Sequence, residues 1–290
     1  MAEIAQLLVT GVAVGCIYGL VALGFVLIYK AGEVVNFAQG DLMMLGALLA
    51  VTFVSTMGLG YWTGFGLAVV AMLFIGGAID AVIVRRIVGY PQFSTVMLTL
   101  GIGFILRSVA AIAWGPETRT LQTPFSAGML HVGEISISYT YASIIVGTLA
   151  LCVLMYLAFR YTKVGQAMQA ASENQLAAYY MGIPVRRYLS LIWAVSAAVS
   201  ACAGVLLAPV TLVDVNMGSI GLKAFAAAVI GGFGSIPGAL VGGIIIGVVE
   251  LLAGVALSAA WRDTSPYIVL LAVLLARPHG IFGKVVRKKV

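Results

Sequence analysis

The 290 residues are 62% hydrophobic and only 9% charged, with a formal net charge of +6 and a mean hydropathy of +1.12. A soluble domain carries about 25% charged residues, so this chain has too little polar surface to face water on all sides. Its basic residues sit at the ends of apolar runs, not on the continuous stripe that binds nucleic acid, which leaves an all-α, polytopic membrane protein as the class.

Spans are predicted at about 7–29, 42–57, 63–84, 94–113, 141–160, 188–212, 237–260 and 266–277, with a shorter apolar piece at 220–233. That makes about eight full transmembrane helices plus one short or discontinuous helix, in a single transmembrane domain over 1–290. The first apolar run, Leu7 to Tyr29, is too long for the core of a signal peptide, and Glu3 stands where a basic region belongs, so it reads as a true span. With the N-terminus outside and 220–233 crossing, Lys30, Arg85, Arg86, Arg160, Lys163, Arg186, Arg187, Arg277, Lys284, Arg287, Lys288 and Lys289 fall on the cytoplasmic side. Only Arg107, Arg119, Lys223 and Arg262 fall elsewhere. The reverse orientation inverts that bias.

After the first span comes YKAGEVVNFAQGDLMML, Tyr29 to Leu45. Glycines there permit a broken helix lining a translocation path, since irregular backbone at membrane depth is tolerated beside a wet cavity. An ordinary cytoplasmic turn capped by Asn or Asp fits the spacing as well, and spacing alone favours it. Asp80 lies near Arg85 and Arg86, which neutralise it at the interface. Arg107 lies 13 residues past Ser94, and Glu250 lies 13 residues past Pro237. Each is therefore about 20 Å from the start of its span, at one depth, so the two are expected to pair or to line a polar cavity. The turn-rich stretch 115–139, with Pro116, Pro124 and Gly133, falls outside and ends in an alternating segment that favours a small hairpin.

The segment 163–187 falls in the cytoplasm. Gly165 to Gly182 has helical character without the length or apolarity to span. Ala167, Ala170, Ala171, Asn174, Ala178 and Met181 form its small-residue face, and Gly182-Ile183-Pro184 stops it. A flat alanine face suits docking into a partner's groove better than lying on lipid, where large anchors are usual. Further along, Asp214 to Glu250 is rich in glycine pairs. They mark a half-helix of the kind that builds transport sites, close packing, or both.

Cys16, Cys152 and Cys202 lie inside apolar runs without metal-ligand spacing, and His131 and His279 stand far apart. There is no phosphate-binding GxxxxGK[ST] loop, no arginine ladder and no TVGYG filter. These absences remove nucleotide binding by that loop, voltage sensing and a potassium-type pore. An ion-coupled secondary transporter stays open, with Asp41 and Glu250 as proton carriers.

The blocks VVNFAQGDLMMLGA, AFRYTKVGQAMQAASENQLAAYYMGI, GLKAFAAAVIGGFGSIPGALVGGIIIGVVE and RPHGIFGK, spread over nearly the whole chain, resemble the branched-chain amino-acid permeases of ABC importers, specifically the shorter H-type subunit. The resemblance implies a non-catalytic transport subunit in a bacterial inner membrane, its C-terminus cytoplasmic. Its partners are a longer M-type permease, two ABC ATPases that hold ATP and Mg, and a periplasmic binding protein; the chain itself carries no cofactor. By motif, Glu173, Asn174, Ala178 and Gly182 couple to the ATPase. Asn36, Phe37, Gln39, Asp41, Lys223, Phe225, Ser235 and Glu250 belong to the pathway blocks, and the intramembrane Arg107 joins them. Gln39-Gly40-Asp41 stands where relatives often carry His-Gly-Glu, which leaves urea, short amides and aromatic acids as alternative substrates.

Overall fold

The computed structural model describes residues 2–87, 91–125, 128–132, 135–173 and 175–283. Its helices, in chain order, are α1 Ala2–Gly32, α2 Gln39–Val51, α3 Tyr61–Val82, α4 Gln92–Trp114, α5 Tyr139–Tyr161, α6 Lys163–Glu173, α7 Gln175–Tyr180, α8 Val185–Leu207, α9 Ile220–Gly231, α10 Ile236–Ala256 and α11 Ala259–Ala276. All of these except α6, α7 and α9 are long and apolar enough to cross a membrane, α2 by running on through a wider turn at Thr52–Thr56. Among the described residues the architecture is thus eight spans plus the short apolar helix α9, with α6 and α7 in the connection before α8. Four boundaries differ from the sequence expectation by four residues or more: α1 starts at Ala2 and α10 stops at Ala256, besides one end each of α8 and α11. α8 stops at Leu207, because Pro209 cannot continue it. α11 starts at Ala259, ahead of 266, because its first turns are polar and escape an apolar count.

The expected hairpin is present between α4 and α5. β1, Met129–Val132, pairs antiparallel with β2, Ile135–Ser138, Leu130 standing opposite Ile137.

α1 is the central helix, buried from Cys16 to Ile28 and packed against α8, α9 and α10. Small residues decide how close it comes. It runs antiparallel to α10 with Gly11, Gly15 and Gly19 against Val248, Ile244 and Leu240, and a Cβ on Gly15 would lie 2.6 Å from the Ile244 Cα. Gly243 and Gly247 return the contact from α10. In lipid the helices gain no hydrophobic drive toward one another, so this backbone-to-backbone approach is what holds them. α2 and α8 use the same device at Gly46 and Ala201. The outer helices α3, α4, α5 and α11 leave large apolar side chains such as Phe74, Ile112, Val146 and Leu275 uncovered, as a lipid-facing ring does.

The bundle has two distinct ends. At one, Lys30 of α1 meets Phe159 of α5, Met168 of α6 and Ile192 of α8, and the Tyr29 ring lies 4.6 Å from Phe233. There too the segment after α11 closes α9. The Ile281 N–H donates to the Ile230 carbonyl at 2.8 Å and the Phe282 N–H to the Gly231 carbonyl at 3.2 Å. At the other end the Gln6 Oε1 accepts from the Ser136 N–H at 3.2 Å, and Arg119 bridges Val213.

Candidate functional site

The chain breaks at two places and brings the breaks together. α1 ends at Gly32, and Glu33 takes a left-handed backbone (φ 54°). Residues 33–38 then run back into the bundle, so that α2 begins beside Gly24 of α1, about 12 Å inside the end of that helix. This is not an ordinary cytoplasmic turn, although Asn36 does cap it: the Asn36 Oδ1 accepts from the Ala38 N–H at 3.1 Å. Backbone at this depth needs internal partners. The Phe37 N–H donates to Thr99 Oγ1 at 3.2 Å. The Asn36 Nδ2 donates to Gln39 Oε1 at 3.0 Å. The Gln39 Nε2 donates to Ser196 Oγ at 2.9 Å and to Ser200 Oγ, and the Ser196 hydroxyl donates to the Gly24 carbonyl at 3.0 Å. Asn36 and Gln39 are wholly buried, and their amides fix the break.

α9 is the second half-helix, preceded by a tight turn at Met217–Ser219. Its first turn crosses α2 at Gly40 and Gly221, where a Cβ on Gly221 would lie 2.7 Å from the Gly40 Cα. Only glycine permits this crossing, which brings both helix starts into the same region.

A cavity of about 230 Å³ opens there. Asp41 and Arg107 form its polar floor: the Arg107 Nη2 donates to Asp41 Oδ1 at 2.9 Å and the Nε to the same oxygen at 3.2 Å. Phe25, Phe37, Leu100, Phe104 and Leu222 make the apolar wall, and Gly218, Ser219 and Gly221 the edge formed by α9. Phe225 backs the wall, its ring 5.3 Å from Phe37 and 5.8 Å from Phe25.

Arg107 and Glu250 therefore do not pair with one another. Equal depth along two helices does not fix the direction in which the side chains leave them. Glu250 sits in a separate network: the Tyr18 hydroxyl donates to its Oε2 at 2.7 Å, and Lys223 and Arg262 reach its Oε1 at 2.9 and 3.3 Å. Lys223 also meets Asp263 at 2.8 Å. Neither Lys223 nor Glu250 lines the cavity. Ser235 caps α10, its Oγ accepting from the Gly238 N–H at 3.0 Å. Asp80 takes Arg85 at 3.6 Å and the Ser190 hydroxyl, as its position near the basic pair predicts.

In the segment 163–187, Asn174 lies outside the described residues, and of Glu173 only the backbone, at the end of α6, is described. Gly182 ends α7 with φ 80°, and the Ile183 N–H returns to the Ala178 carbonyl at 3.0 Å. Ala171 and Ala178 turn inward against Val185. What α7 and the turn after it expose is Leu176, Tyr179, Tyr180 and Met181, the last two 77% and 82% accessible.

Sequence reading missed Phe25, Phe104, Ser219 and Leu222 in the cavity, and Tyr18, Arg262 and Asp263 around Glu250. Phe104 and Arg107, three residues apart on one helix, share a face and carried a signal; Ser196 and Ser200, four apart in an apolar helix, carried another. Among the described residues no group of three or more His, Cys, Asp or Glu gathers to hold a metal.

Against known proteins, the sequence pattern of one family, described as the branched-chain amino acid transport system permease component, matches residues 7–275. The high-affinity branched-chain amino acid transport system permease protein LivH of Escherichia coli (strain K12) is 30% identical over 293 residues, 96% of this chain and 95% of that protein. LivH of Salmonella typhimurium is 31% identical over 294 residues at the same coverage. Among solved structures, PsaBC from Streptococcus pneumoniae in complex with Fab aligns with 94% of this chain and 89% of that one, at 17% identity and a TM-score of 0.47.

Proposed function

The chain belongs to the branched-chain amino acid ABC transport permease family, and from that premise we propose that it is the H-type subunit of an importer for branched-chain amino acids. It supplies half of a gated pathway, and an M-type permease supplies the other half. Two ABC ATPases, which bind and hydrolyse ATP with Mg, dock beneath the pair, one of them on α6–α7. A periplasmic binding protein delivers substrate from outside. The observation that carries this reading is the cavity at the crossing of α2 and α9, an apolar wall over one ion pair at membrane depth.

Docking through α6–α7 draws support from the four large apolar side chains exposed at α7, next to Arg186 and Arg187. Such a cluster on a short polar connection is paid for by a partner that covers it. The inner-membrane orientation, N-terminus outside, draws support from the gathering of Lys30, Arg85, Arg160, Lys163, Arg186, Arg187 and Arg277 at one end of the bundle.

The test is to purify the tagged chain gently from its native membrane. Two ATPase chains and a second permease are expected with it, and Tyr180→Asp together with Met181→Asp should release the ATPase while the second permease stays. Recovery of the chain alone, competent for gradient-driven leucine uptake in liposomes, would replace this reading with that of a secondary transporter.

A further inference from the structure

Resting on that reading, we propose that the Asp41–Arg107 pair is a substrate site in its own right. It holds the carboxylate and ammonium of an aliphatic amino acid, and it selects for ligands of zero net charge independently of the binding protein.

The argument starts from an incomplete ion pair. Arg107 spends two of its five N–H donors, both on the same oxygen of Asp41. Its side chain is 38% accessible and lines the cavity, where its remaining donors would meet a ligand carboxylate. The other carboxylate oxygen of Asp41 has no donor among the described residues. It fits where Gly103 has no side chain, since a Cβ there would lie 2.5 Å from Oδ2. Asp41 lines the cavity with 8% of its side chain accessible, and an ammonium would meet it there. The Ser219 hydroxyl, exposed at the rim, is likewise uncommitted. The network around Glu250 is built differently: its carboxylate is 3% accessible and takes donors on both oxygens. One ion pair is closed, and the other is left open to a cavity.

Charge then sets the selectivity. The cavity carries one positive and one negative group, so a zwitterion laid antiparallel completes a four-charge cluster. A cationic or anionic ligand leaves one charge uncompensated in a site of low polarity, which is heavily penalised. Phe25, Phe37, Phe104 and Leu222 offer a side chain only apolar contact. Urea has no charges for the floor and nothing for that wall. The volume, about 230 Å³, lies below the roughly 300–1,000 Å³ of sites for drug-sized ligands and suits a single small metabolite.

The experiment is competition against radiolabelled leucine on the transporter complex that purifies with this chain, in nanodiscs, with the binding protein left out. Leucine should compete best. Leucinol, a cation, and 4-methylpentanoate, an anion, should each compete about tenfold less well, the scale of one lost charge-assisted contact. Asp41→Asn leaves the floor positive and should move the preference from leucine toward 4-methylpentanoate, and Arg107→Gln should move it toward leucinol. Equal weakening of all three ligands, or no change, would reduce the pair to a structural tie and overturn the proposal. If either variant fails to assemble, Leu222→Trp fills the cavity from a half-exposed position away from the ion pair. It should abolish leucine binding, and unchanged binding would overturn the proposal. A wild-type complex that neither binds nor moves leucine even with its binding protein would defeat the amino-acid reading itself. One that moves leucine yet shows no preference among the three ligands would defeat the site alone.

Discussion

Replacing Glu250 by Gln keeps the shape of the side chain and removes the most buried charge from a set of four. Lys223 then keeps only Asp263, which is 80% accessible and compensates weakly, while Arg262, at 49%, turns outward at little cost. Breaking a buried pair by removing one partner costs about 3–5 kcal/mol, and the residual contact to Asp263 puts Glu250→Gln near about 3 kcal/mol. Lys223→Met leaves Glu250 with Tyr18 and Arg262, so its cost is about 2–3 kcal/mol by the same reasoning. Together the two changes remove both charges that need each other, and the double variant should lose no more than about 1 kcal/mol beyond the worse single one. Equilibrium unfolding of the purified protein in mixed micelles measures all three. If the losses simply add, the network is not a coupled unit and the reasoning fails. If Glu250→Gln alone leaves stability unchanged, Glu250 is not holding α9 to α10 and α1.

Gly247→Leu should prevent α1 and α10 from closing and eliminate folded protein on size-exclusion chromatography, whereas Gly66→Leu, with open space around it, should leave the yield unaffected; similar behaviour of the two would remove close packing as the reason for the glycines. Truncation before Pro278 should strip the Ile230 and Gly231 carbonyls of their donors at about 1–3 kcal/mol each and raise hydrogen exchange in α9 above that in α8; equal protection in the shortened chain would refute that closure.

The spans, the half-helix before Pro237, the hairpin and the glycine stop at Gly182 were all legible, because each rests on length, apolarity or turn chemistry within one short window. The depth of the 33–38 break was not. Its polar groups are satisfied by Thr99, Ser196 and Ser200, residues from helices far along the chain, so locally it looks like a capped turn. The partner of Arg107 was hidden for a related reason. Rise per residue gives height along a helix, but the direction of a side chain about the axis depends on the neighbours that helix acquires, and Asp41 comes from a different break. A small-residue face marks close packing, and in α6 and α7 Ala171 and Ala178 pack against Val185, so the exposed side chains there are the large ones, Leu176, Tyr179, Tyr180 and Met181.

The bonds from Ile281 and Phe282 to the last carbonyls of α9 also impose an order of assembly. A ribosome delivers α9 to the membrane before it has made α10, α11 and the stretch that follows. Until that stretch emerges, the Ile230 and Gly231 carbonyls of α9 lack these donors. The helix whose first turn rims the cavity is thus among the last elements to be secured. A chain that stops before Ile281 lacks both of the bonds that close α9.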